Sequence, residues 1–393
     1  MDQQKSLPAT ETVYVQSEEL LDTAVNQIEK ASEIAIDLEF DKDRFSYGST
    51  VCLIQIFDGT TCWLIDSLAG FPLQPLFPAL ENPSIFKIMH SPGEDLQLLH
   101  LEGCFPKNIF DTERCARLLD FPSFSLSNLM LEFTGLPLDK SQQKTDWTRR
   151  PLQKAQLDYA ARDVIHLPEL KEKLLTLVNA KGIESWVKEE NEAWERYRAE
   201  EKAAGQFTNK DDNKKLPPFH LYVFNALMGL RDGYARKMNK PGYQVITKEI
   251  LMDMAFSPEI ADQWLAMKGI HYSIKNNTVY QEIKSTLEKA MQEAAALNLP
   301  KRKASSSLTF EQRQEEGAKR KRADDIVDST LRPVLQEIIA RYGENAGAYM
   351  LNEKTMTEIV TGKLKISELP YTYRTMLIQS IATEKDIDLN LYC

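Results

Sequence analysis

Two carboxylates stand two residues apart inside an apolar run. In EIAIDLEF, residues 33 to 40, Ile34, Ile36 and Leu38 alternate with Asp37 and Glu39, which is the period of a strand. Side chains at i and i+2 share one face of a strand, roughly 6.5 to 7 Å apart. Two ionised carboxylates on an apolar sheet face repel each other and are poorly solvated. A divalent cation relieves both problems, although a lone D-x-E also suits a strand end that faces water. Asp95, beside Glu94, opens a helix directly after a strand that ends at His90, a place where an acid also favours the helix N-terminus. In LDYAARDVIHL, Tyr159 and Asp163 stand at i and i+4, hence on one helical face. Sets made only of carboxylates select hard cations such as Mg2+ or Mn2+. A pair of such ions about 3.5 to 4 Å apart can hold both the attacking and the leaving oxygen of a phosphodiester.

The elements that must position these residues alternate in type over the first 175 or so residues. EIAIDLEF, TVCLIQIFDG and TCWLIDSL read as strands, the last two joined by a turn at Asp58-Gly59. SIFKIMH is a strand and GEDLQLLHLEG a helix closed by Gly103. KNIFDT is a short strand, ERCARLLD a helix, and SLSNLMLEFTG a helix with Ser125 as N-cap and Gly135 as its stop. Residues 151 to 178 read as one long amphipathic helix kinked at Pro168. Strands mixed with helices predict an α/β domain around a central sheet.

Beyond it, 183 to 205 is helical in propensity but mostly charged, and is expected to be a connecting helix with a solvated face. Residues 217 to 297 read as all helix, 301 to 322 as a flexible basic linker, and 325 to 393 as a further helical unit. The chain of 393 residues has 42% hydrophobic and 27% charged residues, ordinary for a soluble globular protein, with room for two or three domains. Its net charge of -10 argues against a wholly nucleic-acid-binding surface but leaves room for a local basic face. The polar start MDQQKSLPATETVY lacks a signal-peptide pattern, and no apolar run is long enough for a membrane span. Five cysteines without CxxC spacing, Cys52, Cys62, Cys104, Cys115 and Cys393, are expected to be reduced and buried, as in a cytoplasmic protein.

Taken together, the acidic positions resemble the DEDD exonucleases of the subgroup with tyrosine in its third motif, the ribonuclease D family above all. Asp37 and Glu39 match the first motif, followed by LIQI at 53 to 56; His90, Asp95 and Leu96 match the H-x4-D-L of the second. Phe110, Asp111 and Thr112 match the FDT strand, and KTDWTRRPL, 144 to 152, resembles the D-W-x-x-R-P-L lead-in to Y-x3-D, here Tyr159 and Asp163. This resemblance covers roughly residues 12 to 178. It implies a ribonuclease H-like (DnaQ-like exonuclease) α/β domain with a mixed sheet, followed by one or two small all-α domains. YVFNALMGLRDGYARKMNKPGYQVITKEILMDMA is similar to the helical domain shared by RecQ-type helicases and ribonuclease D C-termini, with Leu227, Arg231, Ala235 and the turn Asn239 to Pro241. The expected layout is an exonuclease domain at 1–180, a connector at 181–215, that helical domain at 216–298, a basic linker at 299–324 and a diverged second helical copy at 325–393.

The resemblance further implies a 3′-5′ exonuclease that releases 5′-monophosphates from RNA such as tRNA precursors, using two Mg2+ or Mn2+ ions. Asp37 would bridge both ions, Glu39 and Asp163 would complete the site of the water-activating ion, and Asp95 would anchor the other. Tyr159 would orient the attacking water, since a phenol with a pKa near 10 is a poor base. His90 and Glu94 could reach the terminal nucleotide, and Phe45 and Tyr47 could stack on a base. Arg149, Arg150, Arg231, Arg236, Lys237, Lys240 and the clusters Lys301 to Lys303 and Lys319 to Arg322 are candidates for phosphate contacts. The two clusters could instead form a bipartite nuclear signal. His166 is assigned no chemistry. Single-stranded DNA is a rival substrate, because only contacts to the 2′-hydroxyl separate the two; a catalytically inactive adaptor is a second rival. No membrane and no obligate protein partner are expected.

Overall fold

The structure is a computed structural model and describes residues 10–135, 140–198, 205–303 and 310–392. Residues 304–309 of the expected linker and Cys393 lie outside the described residues. The chain divides into two compact units, one within Met1–Glu39, Val51–Ala199 and Phe310–Cys393, the other within Phe40–Thr50 and Glu200–Thr309.

The first unit is built on a six-stranded mixed sheet of order β1-β4-β3-β2-β5-β6. Its strands are β1 (Glu11–Val15), β2 (Glu33–Lys42), β3 (Ser49–Phe57), β4 (Thr61–Asp66), β5 (Phe86–Met89) and β6 (Ile109–Asp111). β1 runs parallel to β4, and β5 parallel to both β2 and β6, while β3 and β4 are antiparallel. The β3–β4 turn forms because Asp58 accepts from the Thr60 and Thr61 amides and from the Trp63 indole, while Gly59 takes φ 94°. β1 and the helix α1 (Glu18–Ile28) precede the first element expected from sequence. The β1 stretch ETVYV is short and half-exposed, so its apolar pattern is weak.

Helices α2 (Phe77–Glu81), α3 (Gly93–Leu101), α4 (Thr112–Leu118), α5 (Leu126–Thr134), α6 (Lys154–Ile165), α7 (Leu167–Lys181) and α8 (Glu184–Arg196) follow in order between and after the strands. The helix expected over 151–178 is therefore two helices. Pro168 sits in the first turn of α7, where no N–H is needed, and so separates the helices instead of bending one. Ser125 stands at the N-cap of α5 without a capping side-chain bond, and Gly135 ends it at φ 71°. One face of β2, through Ala35, packs with Ala160, Ala161 and Val164 of α6 and with Leu170 and Leu174 of α7. Asp37 and Glu39 alternate with Ile36 and Leu38, so they share the face of Ala35.

The second unit holds α9 (Lys210–Lys215), α10 (Pro218–Met238), α11 (Gly242–Val245), α12 (Lys248–Phe256) and α13 (Asn277–Ala296) around buried Trp264, Phe224 and Leu227. Helices α14 (Phe310–Ser329), α15 (Leu331–Tyr342), α16 (Glu344–Met350), α17 (Glu353–Val360) and α18 (Thr372–Glu384) return to the first unit. Val327, Leu331, Val334 and Ile381 lie in the same buried cluster as Leu170 and Val187. One expectation is corrected here. The segment 310–322, read as flexible linker, belongs to α14; its residues 311–322 are exposed, and their alternating charges support a helix without an apolar face. The charged connector is the helix α8, with the expected solvated face at Glu184, Lys188, Glu192 and Glu195 and a buried side through Val187, Glu190 and Asn191; residues 199–204 of that stretch lie outside the described residues. Cys52, Cys62, Cys104 and Cys115 are buried and form no disulfide among the described residues. No helix among the described residues is long and apolar enough to cross a membrane.

Candidate active site

The alternation of β2 sends Asp37 and Glu39 toward α6, and the helical spacing of α6 sends Tyr159 and Asp163 back toward the sheet. One ligand oxygen from each of Asp37, Glu39 and Asp163 lies within 4.8 Å of the others. Asp95, in the first turn of α3, is buried. It falls outside that group of three, but its charge acts on both Asp37 and Glu39. Burial and then mutual repulsion push Asp37 and Glu39 well above the usual carboxylate range. Burial likewise pushes Asp95 and Asp163 to about 7. Asp37, Glu39 and Asp163 thus form a poorly solvated donor set of oxygens alone, which fits divalent Mg2+ or Mn2+.

A cleft of about 290 Å³ opens onto Asp37 and Asp163. Tyr159 lines it beside them, and His90, Ser91, Ser125, Ser127, Lys140 and Gln143 line it as well. Tyr159 stands one turn before Asp163 on α6, and burial with the surrounding negative charge raises its pKa far above the ordinary phenol value. The indole of Trp147 packs against Tyr159 at 6.2 Å between ring centroids. His90 lies with Nδ1 2.8 Å from Thr112 Oγ1, and burial lowers its pKa to about 4, so the ring is neutral at ordinary pH.

A family model described as 3′-5′ exonuclease matches residues 12–179. Ribonuclease D of Zymomonas mobilis is 32% identical over 277 residues, 67% of this chain and 69% of that protein. The chain belongs to the ribonuclease D family. It is an exonuclease, and its α/β domain has the ribonuclease H-like fold expected of that family. Ribonuclease D of Escherichia coli is 39% identical over 151 residues, 38% of this chain and 40% of that protein. The crystal structure of Escherichia coli RNase D, described as an exoribonuclease involved in structured RNA processing, shares the fold with a TM-score of 0.68, 23% identity and coverage of 95% of this chain and 99% of that one.

The remaining residues singled out from the sequence fall in three groups. His90 lines the cleft, and Glu94 is exposed beside Asp95, whose carboxyl its charge pushes further up. Arg150 is a correction: all five of its N–H donors are engaged inside the fold. Its Nε and Nη2 hold Asp66 at 2.5 to 2.9 Å, Nη2 also donates to the Cys52 carbonyl, and Nη1 donates to the Trp147 and Arg149 carbonyls. It braces the loop that carries Trp147, Lys140 and Gln143, and has no donor left for a phosphate. Arg149 is exposed.

Tyr47, Arg231 and Lys240 belong to the second unit. There the Tyr47 hydroxyl donates to Asp232 at 2.9 Å and lies under Arg236, while Arg231 is half-buried and donates to the Ile246 carbonyl. Tyr47 and Arg231 thus tie local structure together, and Lys240 is half-buried at the turn after α10. Lys140, Gln143, Ser125 and Ser127 escape sequence reasoning as cleft residues. They are polar loop and helix-start residues with no motif of their own, and only the lead-in KTDWTRRPL nearby hints at that loop.

Proposed function

We propose that this chain is a 3′-5′ exoribonuclease that removes nucleotides one at a time from RNA 3′ ends as 5′-monophosphates. The observation that carries the reading is the meeting of Asp37, Glu39 and Asp163, from motifs more than 120 positions apart, within 4.8 Å, where Asp37 and Asp163 line a cleft. Asp37, Glu39, Asp95 and Asp163 would hold two divalent cations, which supply charge stabilisation for the attacking and leaving oxygens of the phosphodiester. Tyr159 keeps its proton across the working pH range, so it acts as a donor that orients the attacking water and not as a base. His90, neutral and anchored through Nδ1 to Thr112, offers a fixed wall for the terminal nucleotide.

Support for RNA as substrate comes from the relatives named ribonuclease D, of which the Escherichia coli enzyme is described as acting in structured RNA processing. Tails of structured RNAs, such as tRNA precursors, are the proposed natural substrates, and the cytoplasm the proposed site of action. The helical domains would hold the RNA body through Arg236, Lys237, Lys240, Lys301 to Lys303 and Lys319 to Arg322.

End-labelled RNA incubated with Mn2+ tests the reading. A ladder that shortens from the 3′ end supports it, and an internal cleavage pattern sinks it. Asp37→Asn and Asp163→Asn should each abolish the ladder; near-normal activity in either would remove that residue from the site. Matched DNA strands run in parallel decide between ribose and deoxyribose substrates.

A further inference from the structure

The chain enters the second motif through a backbone turn that needs outside support. Ser91, between β5 and α3, has φ 55°, a left-handed conformation unusual for a residue with a Cβ. Such a conformer persists only where its surroundings fix it, and here it is held through both its amide and its carbonyl. The Ser91 amide donates to Asp111 Oδ1 at 2.9 Å, and its carbonyl accepts from the Gly93 amide at 2.9 Å. This turn sets where α3 begins, and α3 carries Asp95 two residues later.

Asp111 is the hub of that support. It ends β6, is fully buried, and accepts from the Glu113 amide through the same Oδ1. Its Oδ2 accepts from the Trp194 indole at 3.2 Å with Arg114 Nε 3.7 Å away, and its own amide donates to Asn191 Oδ1 at 2.9 Å. Asn191 and Trp194 both stand on α8. The Trp194 ring also lies against the turn: a Cβ built on Gly93 would meet it at 3.5 Å, and Arg114 stacks on the ring at 3.9 Å. Within the cleft wall His90, and through α3 Asp95, therefore take their positions from a carboxylate that does not itself line the cleft.

We propose that Asp111, backed by Asn191 and Trp194 of α8, is a positioning residue for the exonuclease reaction, which holds the Ser91–Gly93 turn and so places His90 and Asp95. This rests on the reading of Asp95 as part of the reaction site. Asp111→Ala removes every acceptor. Asp111→Asn can keep its oxygen on the Ser91 and Glu113 amides but turns an NH2 group toward the Trp194 and Arg114 donors. Trp194→Phe loses the indole donor together with the outer ring atoms that face Gly93.

The test is single-turnover and steady-state degradation of end-labelled RNA with saturating Mn2+, alongside thermal melts of the full chain. The expected order of kcat is wild type, then Trp194→Phe and Asp111→Asn about three- to tenfold lower, then Asp111→Ala about thirty- to a hundredfold lower, with KM within twofold throughout. Val178→Ala, a buried α7 change away from the turn, should lower Tm without lowering kcat, which separates placement from mere stability. Should Asp111→Ala fail to fold, Asp111→Asn and Trp194→Phe carry the test. Wild-type kcat in these folded variants, or a raised KM at unchanged kcat, overturns the proposal. Loss of the underlying nuclease reading would show differently, as Asp95→Asn with full activity.

Discussion

Replacing Arg150 by methionine separates bracing from substrate contact. The Asp66 side chain is 1% exposed and Arg150 22%, so the change leaves a buried carboxylate without its cation. Breaking a buried pair from one side costs about 3 to 5 kcal/mol. Tyr14 still donates to Asp66 at 2.6 Å and the Leu68 amide at 3.0 Å, and the partly exposed arginine screens the pair, so about 2 to 3 kcal/mol is expected. For a unit of this size that corresponds to a Tm lowered by roughly 4 to 12 °C at pH 7. Burial alone would raise the Asp66 pKa; the Arg150, Tyr14 and Leu68 hydrogen bonds override it and hold it below the ordinary value.

A depressed folded-state pKa stabilises above the unfolded pKa, near 3.9, and that stabilisation is lost as pH falls through the folded value. The gap in Tm between wild type and Arg150→Met should therefore be full at pH 7 and shrink below about pH 4. Calorimetry across that range, joined to RNA binding at several salt concentrations, checks both halves. A phosphate-contacting arginine would reduce the salt slope by about one when removed; Arg150→Met should leave it unchanged. A Tm within about 1 °C of wild type at pH 7, or a lost unit of salt slope, refutes the bracing role.

Tyr159→Phe removes one hydrogen bond to charged groups, worth about 1.5 to 3 kcal/mol, so kcat on RNA should fall roughly 10- to 150-fold with KM near wild type; an unchanged kcat counts against the orienting role. Mg2+ or Mn2+ should raise the wild-type Tm, by the equivalent of about 2.7 kcal/mol at a hundredfold excess over Kd, and chelation should reverse it. Asp37→Asn should melt higher than wild type without metal, because it removes one of several repelling charges, and should lose the metal response; a retained response would exclude Asp37 as a ligand. Arg374→Met leaves Glu190, which is buried and also accepts from Tyr349 and Tyr373, without its cation, so about 3 to 5 kcal/mol of stability should be lost, read as a lowered denaturant midpoint with faster protease cleavage among α14 to α18. An unaltered midpoint would mean that the pair contributes nothing net.

How much of this is legible depends on whether a residue's role is written in a local period. Asp37, Glu39, Tyr159 and Asp163 are legible, because strand and helix spacings by themselves fix which face each side chain takes. The Asp58-Gly59 hairpin is legible for the same reason, through its own side-chain-to-backbone bonds. Arg150 misleads because an arginine beside an arginine resembles a phosphate site, while its actual partner, Asp66, is 84 positions away and buried. The split between α6 and α7 is half legible: Pro168 is plain in the sequence, but a proline in a first turn starts a helix without bending one. Lys140 and Gln143 reach the cleft from an irregular loop, where no period exists to read.

The charged helix α8 is the most instructive case. A sequence rich in Glu, Lys and Arg suggests a solvated face because apolar residues ordinarily mark the buried one. Here much of the buried side is polar: Glu190 accepts from Arg374, Tyr349 and Tyr373, and Glu189 accepts from the Tyr373 amide at 3.1 Å. Asn191 and Trp194, on neighbouring positions, clamp the end of β6. Polar burial of this kind survives only when each group finds its partner. Those partners lie on segments more than 150 residues further along and on the edge strand of the sheet. The helix therefore carries no hydrophobic signal in proportion to what it joins. One consequence follows for the boundary of the catalytic unit. A chain truncated near residue 180, where the sequence resemblance stops, would lose Asn191 and Trp194. The Asp111 carboxylate and amide would then be short of partners, and kcat should be weakened even with all four acidic positions intact.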